Sequence, residues 1–317
     1  MKRRIVARLL FASASAALAC AAFAGPFAYV PNEKSGSISI IDTATRRVDA
    51  TIAVGGKPRG IAVAADGKVL YVSDQAAHGL AVVDLETREV SARIPLGESP
   101  EGVSLSPDGR WVVAAVEVSN SVVFIDTATR RAAFAIRTSG KNPEHAVFSP
   151  DGRWLYVSAE EADSVDVIDV AARREIRSIK VGNRPRGIGF LPDGSTAFVA
   201  CEFDSTVHVI DVASQSAVAS IKAGQYANGV ALAPDGKHAY VSNGRDASVS
   251  VVDTASHRIV ATTPVGKRPW GLATTPDGRW LYVANGRSNS VSIIDTATTQ
   301  VVETVPVGEA PWGVAIR

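Results

Sequence analysis

The stretch Gly229-Val-Ala-Leu-Ala-Pro-Asp-Gly-Lys-His-Ala-Tyr-Val-Ser-Asn243, followed by Ser248-Val-Ser-Val-Val-Asp253 and Ile259-Val-Ala-Thr-Thr-Pro-Val265, decides the fold. Two short apolar runs flank Pro234-Asp235-Gly236. Proline presets φ at one turn position, aspartate suits the next, and glycine takes the positive φ that closes a tight hairpin. The third phrase alternates like a half-buried strand and stops at Asp253, where the Asp and hydroxyl side chains of Asp253-Thr-Ala-Ser can bond nearby amides and turn the chain. The fourth phrase is again strand-like. One unit is therefore a four-stranded antiparallel meander, and no helical period occurs in residues 25–317.

Working outward, the unit recurs along the chain. Its third phrase ends at Asp42, Asp84, Asp126, Asp169, Asp211, Asp253 and Asp295, at intervals of 42 or 43 residues. Thirteen residues before each stands an aromatic or Val, at Tyr29, Tyr71, Val113, Tyr156, Phe198, Tyr240 and Tyr282. The Asp-Gly hairpin recurs after Ala65, Pro107, Pro150, Pro192 and Pro276. Repeats of this length with four strands read as propeller blades. The chain begins on a second strand at Phe27 and ends on Pro311-Trp-Gly-Val-Ala-Ile316, a first strand without its hairpin. The expected fold is an all-β, seven-bladed β-propeller with four-stranded antiparallel blades. Its ring is closed by the C-terminal strand joining the N-terminal blade, which leaves no open radial edge. A linear solenoid would need polar caps, and none is visible.

Composition narrows the setting. With 317 residues, 46% hydrophobic and 21% charged, the chain is neither disordered nor fibrous. Lys2, Arg3, Arg4 and Arg8 precede an apolar run, Leu9 to Ala22, too short and Ala-rich to stay in a bilayer, and Ala22-Phe23-Ala24 fits a cleavage site. Residues 1–24 are read as a signal peptide and 25–317 as one propeller domain, periplasmic or secreted after cleavage near Ala24. A lipobox has an aliphatic residue three positions before its cysteine, where this chain has Ala17, so lipidation at Cys20 is not expected. Cys201 is then the sole cysteine, read as a small buried hydrophobe. Removing the four leader cations from 33 leaves 29 basic against 32 acidic residues, and no Lys/Arg run remains. Nucleic acid and anionic membrane are thereby disfavoured as partners. No membrane span and a monomer are expected.

Tyr240-Val-Ser-Asn243, Tyr282-Val-Ala-Asn285, the Ser-Pro-Asp-Gly hairpins and the Val-Gly-x-x-Pro-x-Gly phrase resemble the YVTN family of β-propeller repeat proteins across residues 25–317. Asn285-Gly-Arg-Ser-Asn-Ser-Val-Ser-Ile-Ile-Asp295 through Pro311-Trp-Gly-Val314 is similar to an exported group associated with PQQ-dependent alcohol catabolism. That resemblance implies a seven-bladed fold and an accessory role in a quinone-dependent dehydrogenase system. Fold similarity to lactonases implies a hydrolase as an alternative, by analogy alone.

Function should sit where the repeats stop agreeing, in the loops that share the channel mouth. The residue between Pro and Gly of the inner strand runs Arg59, Glu101, Glu144, Arg186, Asn228, Trp270, Trp312 around the ring. One arc carries Glu101, Glu117, Glu144, Glu160, Glu161, Glu202 and Asp204. The opposite arc carries Arg245, Arg268, Trp270, Arg287 and Trp312, with Lys57 and Arg59 beyond. Two tryptophans with flanking arginines suit a planar or anionic ligand, or they plug the inner rim. His145 replaces the repeat glycine beside Glu144, and in a catalytic reading His145 or Glu144 is the base and Arg186 or Arg59 polarises a carbonyl. No H-x-x-H, C-x-x-C, G-x-S-x-G or P-loop spacing exists, so no metal or cofactor is expected. The chain reads as a binding or scaffold protein rather than an enzyme. Its partner is a periplasmic protein or small molecule held by Arg59, Glu101, Glu144, His145, Arg186, Asn228, Arg245, Arg268, Trp270, Arg287 and Trp312. A lactonase-like hydrolase is the alternative.

Overall fold

The computed structural model describes residues 26–317, so the signal peptide and cleavage site read at 1–24 lie outside the described residues. Seven four-stranded antiparallel sheets form a ring. Blades 2 to 7 span 58–95, 100–137, 143–180, 185–222, 227–264 and 269–306, each running from innermost to outermost strand. Blade 1 takes its innermost strand, Ala315–Ile316, from the C-terminus and adds Phe27–Asn32, Ser37–Asp42 and Arg47–Ala53. Among the described residues no helix is long and apolar enough to cross a membrane.

Period-two geometry explains why the middle strands are apolar at nearly every position. Successive side chains point to opposite faces of a sheet, and here both faces are covered by neighbouring blades. Leu155, Val157 and Ile168 of blade 4 pack with Val113, Val122 and Phe124 of blade 3. The intervening Tyr156 and the neighbouring Val165 and Val167 pack instead with Ile188, Val199 and Ile210 of blade 5. Seven such clusters are found, one at each junction of adjacent blades. A fully buried aliphatic side chain contributes roughly 1.5–3 kcal/mol, so the core is a ring of seven interfaces rather than one centre.

The third strand differs from its reading as half-buried. Ser248 and Ser250 are inside, where the Asn243 side-chain amide donates to their hydroxyls at 3.0 and 2.9 Å. The same arrangement recurs with Asn32 on Ser37 and Ser39 and with Asn285 on Ser290 and Ser292. A polar alternation therefore records paired buried groups, which need partners once water is removed.

The turns follow the sequence. Glycines of the six Asp-Gly hairpins have φ between 69 and 74°. At the other far-side turn Asp253 Oδ1 accepts from the Ser256 amide at 2.7 Å and its hydroxyl at 2.6 Å. The fourth residue after each repeat Asp takes φ between 49 and 59° without being glycine: Arg46, Arg88, Arg130, Arg173, Gln215, His257 and Thr299.

Closure uses the C-terminus. Phe27 and Arg317 exchange backbone bonds at 2.7 and 3.0 Å, and the Trp312 amide donates to Pro31 at 2.9 Å. Ala28, Val30 and Ile41 pack with Tyr282, Val291 and Ile293, with Val314 and Ile316 against them. The regular ladder is only Ala315–Ile316 plus a bridge at Pro311, shorter than the six residues expected. One extra residue is inserted between Pro311 and Ala315, the same bulge that other inner strands show after their proline, as between Pro58 and Ile61.

Candidate functional site

The bulge builds the channel mouth. It removes inner-strand amides from the ladder, and second-strand serines satisfy them: Gly60 N to Ser73 Oγ at 2.8 Å, His145 N to Ser158 Oγ at 3.0 Å, Gly229 N to Ser242 Oγ at 2.8 Å. Glycine follows because neighbouring inner strands almost touch there. A Cβ on Gly60 or Gly229 would stand 2.4 Å from a backbone oxygen of the next blade. A cavity of about 160 Å³ occupies the channel, lined by Gly60, Gly102, Gly187, Gly229, Gly271 and Gly313 at equivalent repeat positions. His145 is the one non-glycine residue at that repeat position. Its ring stacks on Trp312 across the channel, with centroids 5.5 Å apart and planes 14° apart, and its Nδ1 is buried with no partner. Burial lowers its pKa, against the raising effect of Glu144, so the imidazole is neutral near pH 7.

Above the channel two sets of ion pairs fill the mouth, one centred on Arg59 and the other on Arg186. Arg59 bonds Glu101 at 2.6 Å and Glu33 at 3.2 Å. Arg186 pairs with Glu144 at 3.4 Å and Glu202 at 3.6 Å, and also with Glu160. Arg184 reaches Glu160 and Glu202 at 3.1 and 3.2 Å, and Arg268 bonds Glu202 at 2.6 Å. The two opposed arcs of charge expected from the sequence are therefore not separate: Arg268 crosses from blade 7 to a glutamate 66 residues away. Glu101 is fully buried, and Glu144, Glu160 and Glu202 are 2 to 5% exposed. Burial, then the Glu144 carboxylate, pushes Glu101 up to about 8, with Arg59 opposing. Glu117 is also raised, by burial, although the Ser99 hydroxyl donates to it at 2.6 Å. Carboxylate oxygens of Glu101, Glu117 and Glu144, one from each, lie within 4.8 Å of one another.

Next to this network lies a basic pocket of about 670 Å³, lined by Tyr226, Gly244, Arg245, Ala247, Lys267, Arg268 and Arg287. Arg245 and Arg268 sit over the Tyr226 ring at 5.7 and 5.4 Å. Among the described residues Arg268 is the one cation of this pocket that is ion-paired. Phe203, 58% exposed, meets Tyr226 edge-on at 6.1 Å and carries Arg184 over its face at 5.0 Å.

The structure thus gathers Arg59, Glu101, Glu144, Arg186 and Arg268 in the network and Arg245, Arg268 and Arg287 in the pocket. Trp312 is only 9% exposed and belongs to the channel stack, and Trp270 lies against Gly286, where a Cβ would be 2.4 Å from its ring. Trp312 lines the channel cavity, while Trp270 is half-buried and lines neither that cavity nor the basic pocket. Asn228 is 5% exposed, with Nδ2 buried and unpartnered. Tyr226 and Arg184 escaped the sequence reading. Their signal was present: the residue before the Pro-x-Gly phrase runs Lys57, Ser99, Asn142, Arg184, Tyr226, Arg268, Ala310 and refuses to repeat. On the far side Trp111, Trp154 and Trp280 pack on the core under Arg110, Arg153 and Arg279. Cys201 is fully buried, and burial pushes its thiol up to about 12, as a structural residue requires.

Comparison with known proteins places this geometry among seven-bladed propellers. The family model "Lactonase, 7-bladed beta-propeller" matches residues 170–314, and "YNCE-like beta-propeller" matches residues 8–107. Each spans less than half of the chain. No curated protein matches in sequence. Among solved structures, a Kuenenia stuttgartiensis hydrazine synthase chain is 26% identical with a TM-score of 0.79, covering 85% of this chain and 92% of that one. A protein of unknown function from Desulfotomaculum acetoxidans is 18% identical, with a TM-score of 0.81 and coverage of 92% and 98%. A candidate 6-phosphogluconolactonase from Bacteroides uniformis is 19% identical, with a TM-score of 0.77 and coverage of 92% and 99%.

Proposed function

We propose that the protein is a periplasmic binding propeller that recognises a small anionic ligand, carboxylate- or phosphate-bearing, on its channel-mouth face. One observation carries this reading. The pocket beside the network sets Arg245, Lys267 and Arg287 around Tyr226 with no carboxylate partner of their own, while the neighbouring arginines are consumed by glutamates. Unpaired guanidinium groups beside an aromatic face match planar oxyanions in charge and in geometry. Periplasmic residence rests on the leader sequence. An accessory role beside a quinone-dependent dehydrogenase is implied only by the resemblance of Asn285 to Val314 to the exported group. A calorimetric screen of citrate, pyrophosphate and sugar phosphates tests the reading: at least one binds, and Arg245→Ala with Arg287→Ala weakens it more than about tenfold. Absence of binding across the screen removes the proposal.

Lactone hydrolysis is the second reading, favoured by the lactonase model match over residues 170–314 and by the bare Nδ1 of His145. A neutral imidazole at the channel wall has the protonation state of a general base, and Arg186 with Glu144 stands beside it. Glycine is the residue that six other blades carry at this position, so His145→Gly should fold. If lactones are substrates, this variant loses turnover by about 10²-fold or more. Equal inertness of wild type and variant on a lactone panel ends the enzyme reading.

A further inference from the structure

We propose that Glu101, Glu117 and Glu144 form a binding site for one hard divalent cation of the calcium, magnesium or manganese class. Three carboxylates from two adjacent blades converge with donor oxygens within 4.8 Å, and two of them are buried. Each has one oxygen anchored by the protein. Arg59 and Gln75 hold Oε1 of Glu101, Ser99 holds Oε2 of Glu117, and Arg186 pairs with Oε1 of Glu144. Among the described residues no protein group bonds the second oxygen of any of the three. For Glu101 that atom is Oε2, fully buried and without a partner, which is a costly state for a carboxylate. Anchoring one oxygen and leaving the other open is how outer partners orient carboxylate ligands around a metal.

Charge points the same way. Among the described residues the three carboxylates meet two arginines, Arg59 on Glu101 and Arg186 on Glu144, and Glu117 is in no ion pair. Arg59 and Arg186 cannot cancel the cluster because both are shared with glutamates outside it. Oxygen-only donors select hard cations over zinc or copper, with water completing the shell. This inference is independent of the anion pocket.

Chelator-treated protein titrated with calcium chloride by calorimetry, and with manganese chloride by electron paramagnetic resonance, tests it. One ion per chain is expected, with a dissociation constant of about 10⁻⁴ M or tighter. Glu101→Gln and Glu117→Gln should each weaken it by at least about tenfold. Glu117 is the partly exposed member, so its variant keeps the test valid if Glu101→Gln fails to fold. Absence of binding by either ion to folded wild type overturns the site. So does an affinity that Glu117→Gln leaves unchanged.

Discussion

At the residue scale, the repeat Asp turn shows how local chemistry overrides a backbone preference. Left-handed φ is disfavoured for residues bearing a Cβ, most of all β-branched ones, and is accepted here because the Asp carboxylate holds the preceding amides in place. Asp295 Oδ1 accepts from Ala297 N and Thr298 N at 2.9 and 3.0 Å, and Thr299 follows with φ 56°. Thr299 is the single β-branched residue in the seven equivalent positions. Thr299→Asn should therefore stabilise the protein by about 0.5–1 kcal/mol, read as an upward shift of the denaturation midpoint with unchanged slope. A lowered midpoint would show that Thr299 makes packing contributions larger than its conformational cost.

At the element scale, the decisive strand is the last one. Its backbone bonds to Phe27 and Pro31 and its place beside the blade 7 and blade 1 cluster make the seventh interface like the other six. Truncation after Ala310 removes Trp312, Val314 and Ile316 and opens a radial edge on either side. The expected cost exceeds about 4 kcal/mol, the extreme range for local changes, with soluble yield falling as the edges pair between chains. A truncated chain that unfolds at the unchanged midpoint refutes closure. Most of this level was legible in the sequence, because strand, hairpin and Asp turn are local signals within about 42 residues. The third strand was the exception: Ser250 read as solvent-facing, whereas Asn243 pairs it inside. Two residues seven apart, each ordinary alone, carry that information only as a pair.

At the scale of the whole molecule, what repeats is scaffold and what fails to repeat gathers at one mouth. Sequence reading placed Arg59, Glu101, Glu144, Arg186, Arg245, Arg268 and Arg287 on that face, since the blade phase fixes which loops share it. Pairing was not legible. Arginine side chains span several ångströms, and ring geometry decides that Arg268 reaches Glu202 while Arg245 and Arg287 border an open pocket. The two tryptophans illustrate the same limit, because the stack of Trp312 on His145 exists only after the ring closes. Arg245 and Arg287 form no ion pair among the described residues, so changes at these two should alter binding and leave folding intact. The most direct test is a calorimetric titration of citrate into wild type, Arg245→Ala/Arg287→Ala, and the far-side control Arg110→Ala/Arg153→Ala. Binding weakened more than about tenfold in the mouth variant alone, with that variant unfolding at the wild-type midpoint, is the predicted result. Equal affinity in all three proteins would contradict the assignment of function to the unrepeated face.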